Sequence, residues 1–223
     1  MSTSQRAVLL DLDGTLVDSK AGILGSYAAA LRALGHEPDP AVDLTWVIGP
    51  PLADVMGQIL AHYGDDRAEE AIEAYRADYD ARGYLGSTPY PGIAEALSAL
   101  RAEGFALHVA TSKRTVPARL ILGHLGLDAA LDGIHGSEPG GALDHKPEMI
   151  AEVLRRSGFA AADAVMVGDR RFDIAGAHAN KVRSVGILWG FGGREELEQA
   201  GADRLAMAPA DLTGLARALL DRR

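Results

Sequence analysis

Cysteine is absent from the 223 residues. That excludes a disulfide framework, a thiolate metal site and a cysteine nucleophile. Basic charge is in deficit: 22 lysines and arginines stand against 31 aspartates and glutamates, a formal charge of −9. A field of that sign disfavours nucleic acid polymers and anionic membrane surfaces. It does not disfavour a small phosphorylated metabolite, because one pocket can be positive on a negative surface. Long apolar runs are also missing. Residues 1–6 are polar, and the short stretch Ala7–Leu10 is cut at once by Asp11. That is too little for a signal peptide, and no run approaches the roughly 20 apolar residues of a membrane span. The expectation is a soluble, cytoplasmic chain. No heptad pattern appears, so a monomer is expected.

What is present is an alternation. Ala7–Leu10 is apolar at every position, as a strand buried on both faces of a parallel sheet must be. Residues 105–110, 164–167 and 184–188 repeat the pattern, each followed by small or polar residues. Helical spacing lies between them: Ile93, Ala96, Leu97 and Leu100, then Ile150, Val153 and Leu154, then Leu212, Leu215, Ala216, Leu219 and Leu220. Strand and helix in turn predict an α/β fold, a Rossmann-like doubly wound parallel sheet. Residues 19–85 break the alternation. Ile23, Tyr27, Leu31 and Leu34 share one helical face, Leu52, Val55, Met56 and Ile59 another, and residues 68–79 read as a third helix. The expected organisation is a core of residues 1–18 and 86–223 with an inserted α-helical domain at 19–85.

In open α/β sheets, ligands bind beyond the carboxyl ends of the strands. The polar residues fall there: Asp11 and Asp13 after the first strand, Thr111 and Ser112 after the second, Asp169 after a later one. With Asp173, these would gather several carboxylates in one cleft. They would repel one another and some would protonate. A hard dication resolves this, and all-oxygen donors favour Mg²⁺. Lys146 offers a point charge for a phosphate, and Thr111 and Ser112 offer hydroxyl and backbone donors.

Asp11-Leu12-Asp13-Gly14-Thr15-Leu16-Val17-Asp18-Ser19 resembles the first signature of the haloacid dehalogenase superfamily in its phosphatase form. Thr111-Ser112-Lys113 is similar to the second motif, Lys146-Pro147 to the third, and Gly168-Asp169-Arg170-Arg171-Phe172-Asp173 to the fourth. All four come in the family's order and span nearly the whole chain. The helical insert resembles the family's α-helical cap. Asp18-Ser19, Gly49-Pro50-Pro51-Leu52 and Pro91-Gly92-Ile93 are similar to the phosphoglycolate-phosphatase-like branch.

The resemblance implies roles. Asp11 would be the nucleophile that carries the phosphoryl group. Asp13 would be the acid, then the base. Mg²⁺ would sit on the Asp11 carboxylate, the Asp13 carbonyl and the Asp169 carboxylate, with Asp173 a further ligand or a supporting partner. Thr111, Ser112 and Lys146 would hold the phosphate. An aspartate two residues after the nucleophile suits phosphate esters; relatives that cleave carbon–halogen bonds lack it. The expected activity is Mg²⁺-dependent hydrolysis of a small phosphomonoester, phosphoglycolate or a similar phospho-acid first. A 5′-nucleotidase is the runner-up, because the form of the fourth motif and the segment Gly193-Arg194-Glu195-Glu196-Leu197 also occur in nucleotidase-like relatives. The same motifs also suit a phosphosugar mutase, or an inactive binding module on the same scaffold.

Several residues read as bystanders. Lys113, Arg114, Arg170 and Arg171 are expected to be solvated charges. Trp46 and Tyr90 suit core packing, His145 the surface, and Gly190-Phe191-Gly192-Gly193 a simple turn before a helix.

Overall fold

The computed structural model describes residues 5–141 and 143–221. Most of the polar segment 1–6 lies outside the described residues. Among the described residues the strands are β1 Ala7–Leu10, β2 Val17–Asp18, β3 Thr88–Pro89, β4 Ala106–Arg114, β5 Gly133–Ser137, β6 Ala164–Gly168, β7 Arg183–Ile187 and β8 Arg204–Ala206. Six of them form one parallel sheet in the order β5-β4-β1-β6-β7-β8. β1 lies between β4 and β6, with Ala7 opposite both Ala106 and Ala164. The chain therefore runs to one side of β1 and later to the other. That reversal opens a crevice at the carboxyl end of β1, where Asp11 stands.

α4 Ile93–Ala102 leads into β4, and α5 Thr115–His124, α6 Lys146–Ser157, α7 Arg171–Ala179, α8 Arg194–Gln199 and α9 Leu212–Leu220 follow β4, β5, β6, β7 and β8 in turn. Alternate residues of β1 face opposite layers. Leu9 packs with Met149, Ile150 and Val153 of α6, while Val8 and Leu10 join a larger cluster that includes Leu97, Leu100 and Leu219. This explains why β1 is apolar throughout. Truncating a fully buried leucine such as Leu10 to alanine would cost about 2–5 kcal/mol.

β2 and β3 pair antiparallel, Val17 opposite Pro89, and the helical segment lies between them. It holds α1 Lys20–Ala33, α2 Leu52–Ala61 and α3 Ala68–Ala81. Tyr27 of α1 meets Tyr75 of α3 at 4.7 Å between ring centroids, and Tyr75 stacks on Tyr79 at 5.6 Å. Tyr75 and Tyr79 are four apart and so share a helix face. Trp46 departs from the expected core packing and is 40% exposed. Among the described residues, no helix is long and apolar enough to cross a membrane.

Candidate active site

Each site residue is placed by an element end. Asp11 follows β1, and its amide donates to the Val167 carbonyl of β6 at 2.9 Å, which continues the ladder one step past the strand. The chain then folds tightly: the amides of Leu16 and Val17 both donate to the Leu12 carbonyl, at 3.0 and 3.1 Å. Gly14 sits in this turn at φ +86°, and a Cβ there would come within 2.3 Å of Asp169 Oδ2. Only glycine meets both demands.

Lys146 opens α6, with Pro147 behind it at a position where a missing amide costs little. Its side chain turns into the crevice and is 3% exposed. Nζ lies 2.6 Å from Asp11 Oδ1, 2.6 Å from Asp173 Oδ1, and 2.9 Å from the Ala110 carbonyl. Asp173 Oδ1 makes this ion pair but no hydrogen bond of good angle; its Oδ2 accepts the Arg170 amide at 3.1 Å. Asp173 thus anchors both Lys146 and the start of α7.

Asp169 is fully buried. Oδ2 accepts the Phe191 amide at 2.7 Å and Oδ1 the Thr15 hydroxyl at 3.3 Å. Asp11, Asp169 and Asp173 each offer an oxygen, all within 4.8 Å of one another. Burial pushes the Asp11 carboxyl up to about 7; Lys146 opposes the rise and Asp173 adds to it. Burial and the neighbouring Asp173 and Asp11 raise Asp169 well above the usual carboxylate range. One ammonium pairs with two of these three carboxylates, so negative charge is left over in a buried cluster. The donors are all oxygen, and a hard divalent cation fits both the charge and the chemistry.

Asp13 stands on the other side of the nucleophile. Its Oδ2 lies 3.0 Å from Lys113 Nζ, and its Oδ1 is buried with no hydrogen-bond partner. Thr111 Oγ1 accepts the Lys113 amide at 3.2 Å, which leaves the hydroxyl proton to donate elsewhere. Asp11, Asp13, Thr111 and Ser112 line one cavity of about 100 Å³, and Tyr27, Tyr75, Arg76 and Tyr79 of the helical segment line its opposite wall. Lys146 and Asp169 sit behind Asp11, outside that lining.

A family model described as "Haloacid dehalogenase-like hydrolase" matches residues 8–187. The chain belongs to that family. It is 41% identical over 192 residues to a 5′-nucleotidase of Pseudomonas aeruginosa, which covers 85% of this chain and 86% of the relative. A phosphoglycolate phosphatase of Aquifex aeolicus is 30% identical, covering 94% of this chain and 96% of its own. A predicted phosphatase from Clostridium acetobutylicum superposes with a TM-score of 0.87 at 36% identity, covering 98% of this chain and all of the other, 100%. The protein is a phosphoric monoester hydrolase of the haloacid dehalogenase superfamily, in its phosphoglycolate-phosphatase-like branch.

Two of the four cations read as solvated bystanders, Lys113 and Arg170, are drawn into the interior, and a third, Arg114, makes a surface ion pair. The Lys113 side chain is mostly covered and pairs with Asp13 at 3.0 Å. Arg114 pairs with Asp80 of α3 at 2.7 Å. Arg170 is buried, donates to Glu196 at 2.9 Å, and also donates to the Ile48 carbonyl of the helical segment. Only Arg171 is exposed as expected, although its amide donates to Glu196 at 2.8 Å. The loop 190–193 is more than a turn. A Cβ on Gly190 would lie 2.3 Å from Asp169 Cβ, and one on Gly192 1.9 Å from the Asp169 carbonyl. The run of glycines lets this loop press on Asp169 and hand it the Phe191 amide. The glycine spacing carried that signal, but its partner lay far away in sequence.

Proposed function

We propose that this phosphatase hydrolyses a small cytoplasmic phosphomonoester with Mg²⁺, through a phosphoryl group carried on Asp11. The observation that carries this reading is the shared ammonium: Lys146 holds Asp11 and Asp173 at 2.6 Å each, beside a third buried carboxylate, Asp169. A carboxylate pinned in that way is aimed, and it cannot rotate away from an incoming phosphorus.

The Asp11 carboxylate, the Asp13 carbonyl and the Asp169 carboxylate would hold the Mg²⁺, with Asp173 supporting them through Lys146. When bound, the cation supplies positive charge to the transferring phosphoryl oxygens and lowers the proton affinity of the crowded carboxylates. Thr111 and Ser112 donate hydrogen bonds to the phosphoryl group, and Lys146 neutralises charge as it develops. An Asp11 oxygen forms the new bond to phosphorus as the ester oxygen leaves. Asp13 gives its proton to that oxygen. A water molecule then attacks the phosphorus, Asp13 takes its proton, the bond to Asp11 breaks, and inorganic phosphate departs. The helical segment acts as a cap: it closes the cavity, keeps bulk water out and selects the leaving group.

The leaving group is a short acid. A cavity of about 100 Å³ holds on the order of seven to ten water-sized groups, enough for a phosphoryl group and a few more atoms. Arg76 is exposed on its wall, and among the described residues no ion pair occupies it. Its planar fork suits a carboxylate. A nucleoside monophosphate is the second reading, favoured by the aromatic cavity wall of Tyr27, Tyr75 and Tyr79, against which a base would pack. Purified protein should release phosphate from 2-phosphoglycolate in the presence of Mg²⁺, and Asp11→Asn should abolish the release. Equal turnover by Asp11→Asn would overturn the reading, and a kcat/KM higher for nucleoside monophosphates would select the second substrate class.

A further inference from the structure

Lys113 touches three segments that are distant in sequence. It stands in β4, at the end that follows Thr111. Its Nζ is 3.0 Å from Asp13 Oδ2 in the turn after β1. It donates to the Tyr79 hydroxyl of α3 at 2.9 Å and lies 4.3 Å from the centroid of that ring. Breaking a buried pair costs far more than losing an exposed one. Lys113 is therefore fixed in place, and its two polar partners face each other across the boundary between sheet and helical segment.

The consequence falls on Asp13. One oxygen is held by Lys113, and the other, Oδ1, is buried without a partner in a residue that lines the cavity. We propose that Lys113 is a positioning residue: anchored by Tyr79 of the helical segment, it holds Asp13 by Oδ2 so that Oδ1 is presented to the oxygen of the leaving group. Acid–base help is then available only while the helical segment is seated on the sheet. When the segment lifts, Tyr79 leaves Lys113, and Asp13 loses its second support. The inference rests on the phosphatase reading above and assigns that site a coupling between closure and protonation of the leaving group.

The leaving group supplies the test. An alkoxide needs a proton as it departs, whereas p-nitrophenolate leaves as a stable anion. kcat/KM reports only the steps up to release of that group, so the later hydrolysis of the phosphoryl-enzyme does not enter. The wild type is measured first on 2-phosphoglycolate and p-nitrophenyl phosphate with Mg²⁺, with Asp11→Asn as the control for the phosphatase reading itself. If that control retains full turnover, the reading fails and the inference falls with it. Given a sound control, Lys113→Met should lower kcat/KM for 2-phosphoglycolate on the order of 100-fold, the scale of a general-acid contribution, and for p-nitrophenyl phosphate by less than about tenfold. Asp13→Asn should show the same skew. Tyr79→Phe keeps the ring under the ammonium and removes only the hydroxyl; it should skew the two substrates in the same direction by about three- to tenfold, and it serves if Lys113→Met does not fold. Parallel losses on both substrates in Tyr79→Phe and in folded Lys113→Met would mean a merely structural lysine and would overturn the proposal. So would a gain on 2-phosphoglycolate.

Discussion

The two walls of the cavity are built by different rules. The sheet wall carries Asp11 and Asp13, in the turn after β1, and Thr111 and Ser112, in the carboxyl-terminal half of β4, while Lys146 and Asp169 stay outside the lining. The helical wall carries Tyr27, Tyr75, Arg76 and Tyr79, which are positions on helix faces. A strand end beside the sheet's reversal point is fixed by topology, so chemistry placed there stays put. A helix face is fixed only by what it packs against, so it can be re-lined without moving the nucleophile. Under the proposed function, reaction type belongs to the first wall and substrate choice to the second.

Four changes would break or sharpen that contrast. The largest expected effect is Asp11→Asn, which should cut turnover on every phosphoester by about 10⁴-fold or more while far-UV circular dichroism stays native. Next is the cation: chelation with EDTA should lower turnover by at least about 100-fold on all substrates alike, since the charge it supplies acts on the phosphoryl group, and Mg²⁺ should restore it. Gly192→Ala belongs with this test. Its Cβ would collide with the Asp169 carbonyl, and the Mg²⁺ needed for half-maximal rate should rise about tenfold or more, the scale seen when a supporting partner of a metal ligand is lost. A helical-wall change should be selective. Arg76→Met should lower kcat/KM for 2-phosphoglycolate by about 10- to 30-fold, the worth of one charge-assisted pair, and shift nucleoside monophosphates by less than about threefold. Equal losses across substrates would erase the distinction between the walls.

The smallest effect lies away from both. His108 of β4 and His135 of β5 face each other at 3.1 Å between Nδ1 and Nε2, over Phe159. Burial, with His108 beside it, pulls His135 down to about 4, and burial lowers His108 as well. The unfolded chain, with ordinary values near 6.5, then binds more protons than the folded one between about pH 6.5 and 4. Stability is fully present above the unfolded value and is lost as pH falls through that window. Thermal melts should show Tm falling across it, and His135→Gln should flatten the fall by about 2–4 °C. An unchanged slope would contradict the account of the pair.

Much of the sheet wall was legible in the sequence. Apolar runs marked β1 and β6, largely apolar ones marked β4 and β7, and the small or polar residues that follow marked Asp11, Thr111 and Asp169. β5 and β8 were not legible, because both are edge strands and only partly buried; Gly133–Ser137 includes two glycines and a histidine and lacks the apolar run of a central strand. The helical segment announced itself by period, but its cavity face did not. Tyr75 and Tyr79 look like any apolar stripe until the sheet is set opposite them. Lys113, Arg114 and Arg170 were misread for one reason: a charge next to a motif reads as solvated, and their partners, Asp13 and Tyr79, Asp80, and Ile48 and Glu196, all lie far away in sequence. The loop 190–193 failed in the same way, since its need for glycine comes from Asp169.

The most direct measurement of the central claim is covalent. The enzyme is mixed with a phosphate-labelled monoester and Mg²⁺, quenched in acid during the first turnover, and digested. The account predicts label on the peptide that contains Asp11, removed by hydroxylamine as an acyl phosphate is. Product released in a first turnover with no covalent label, or label on any other residue, would contradict it.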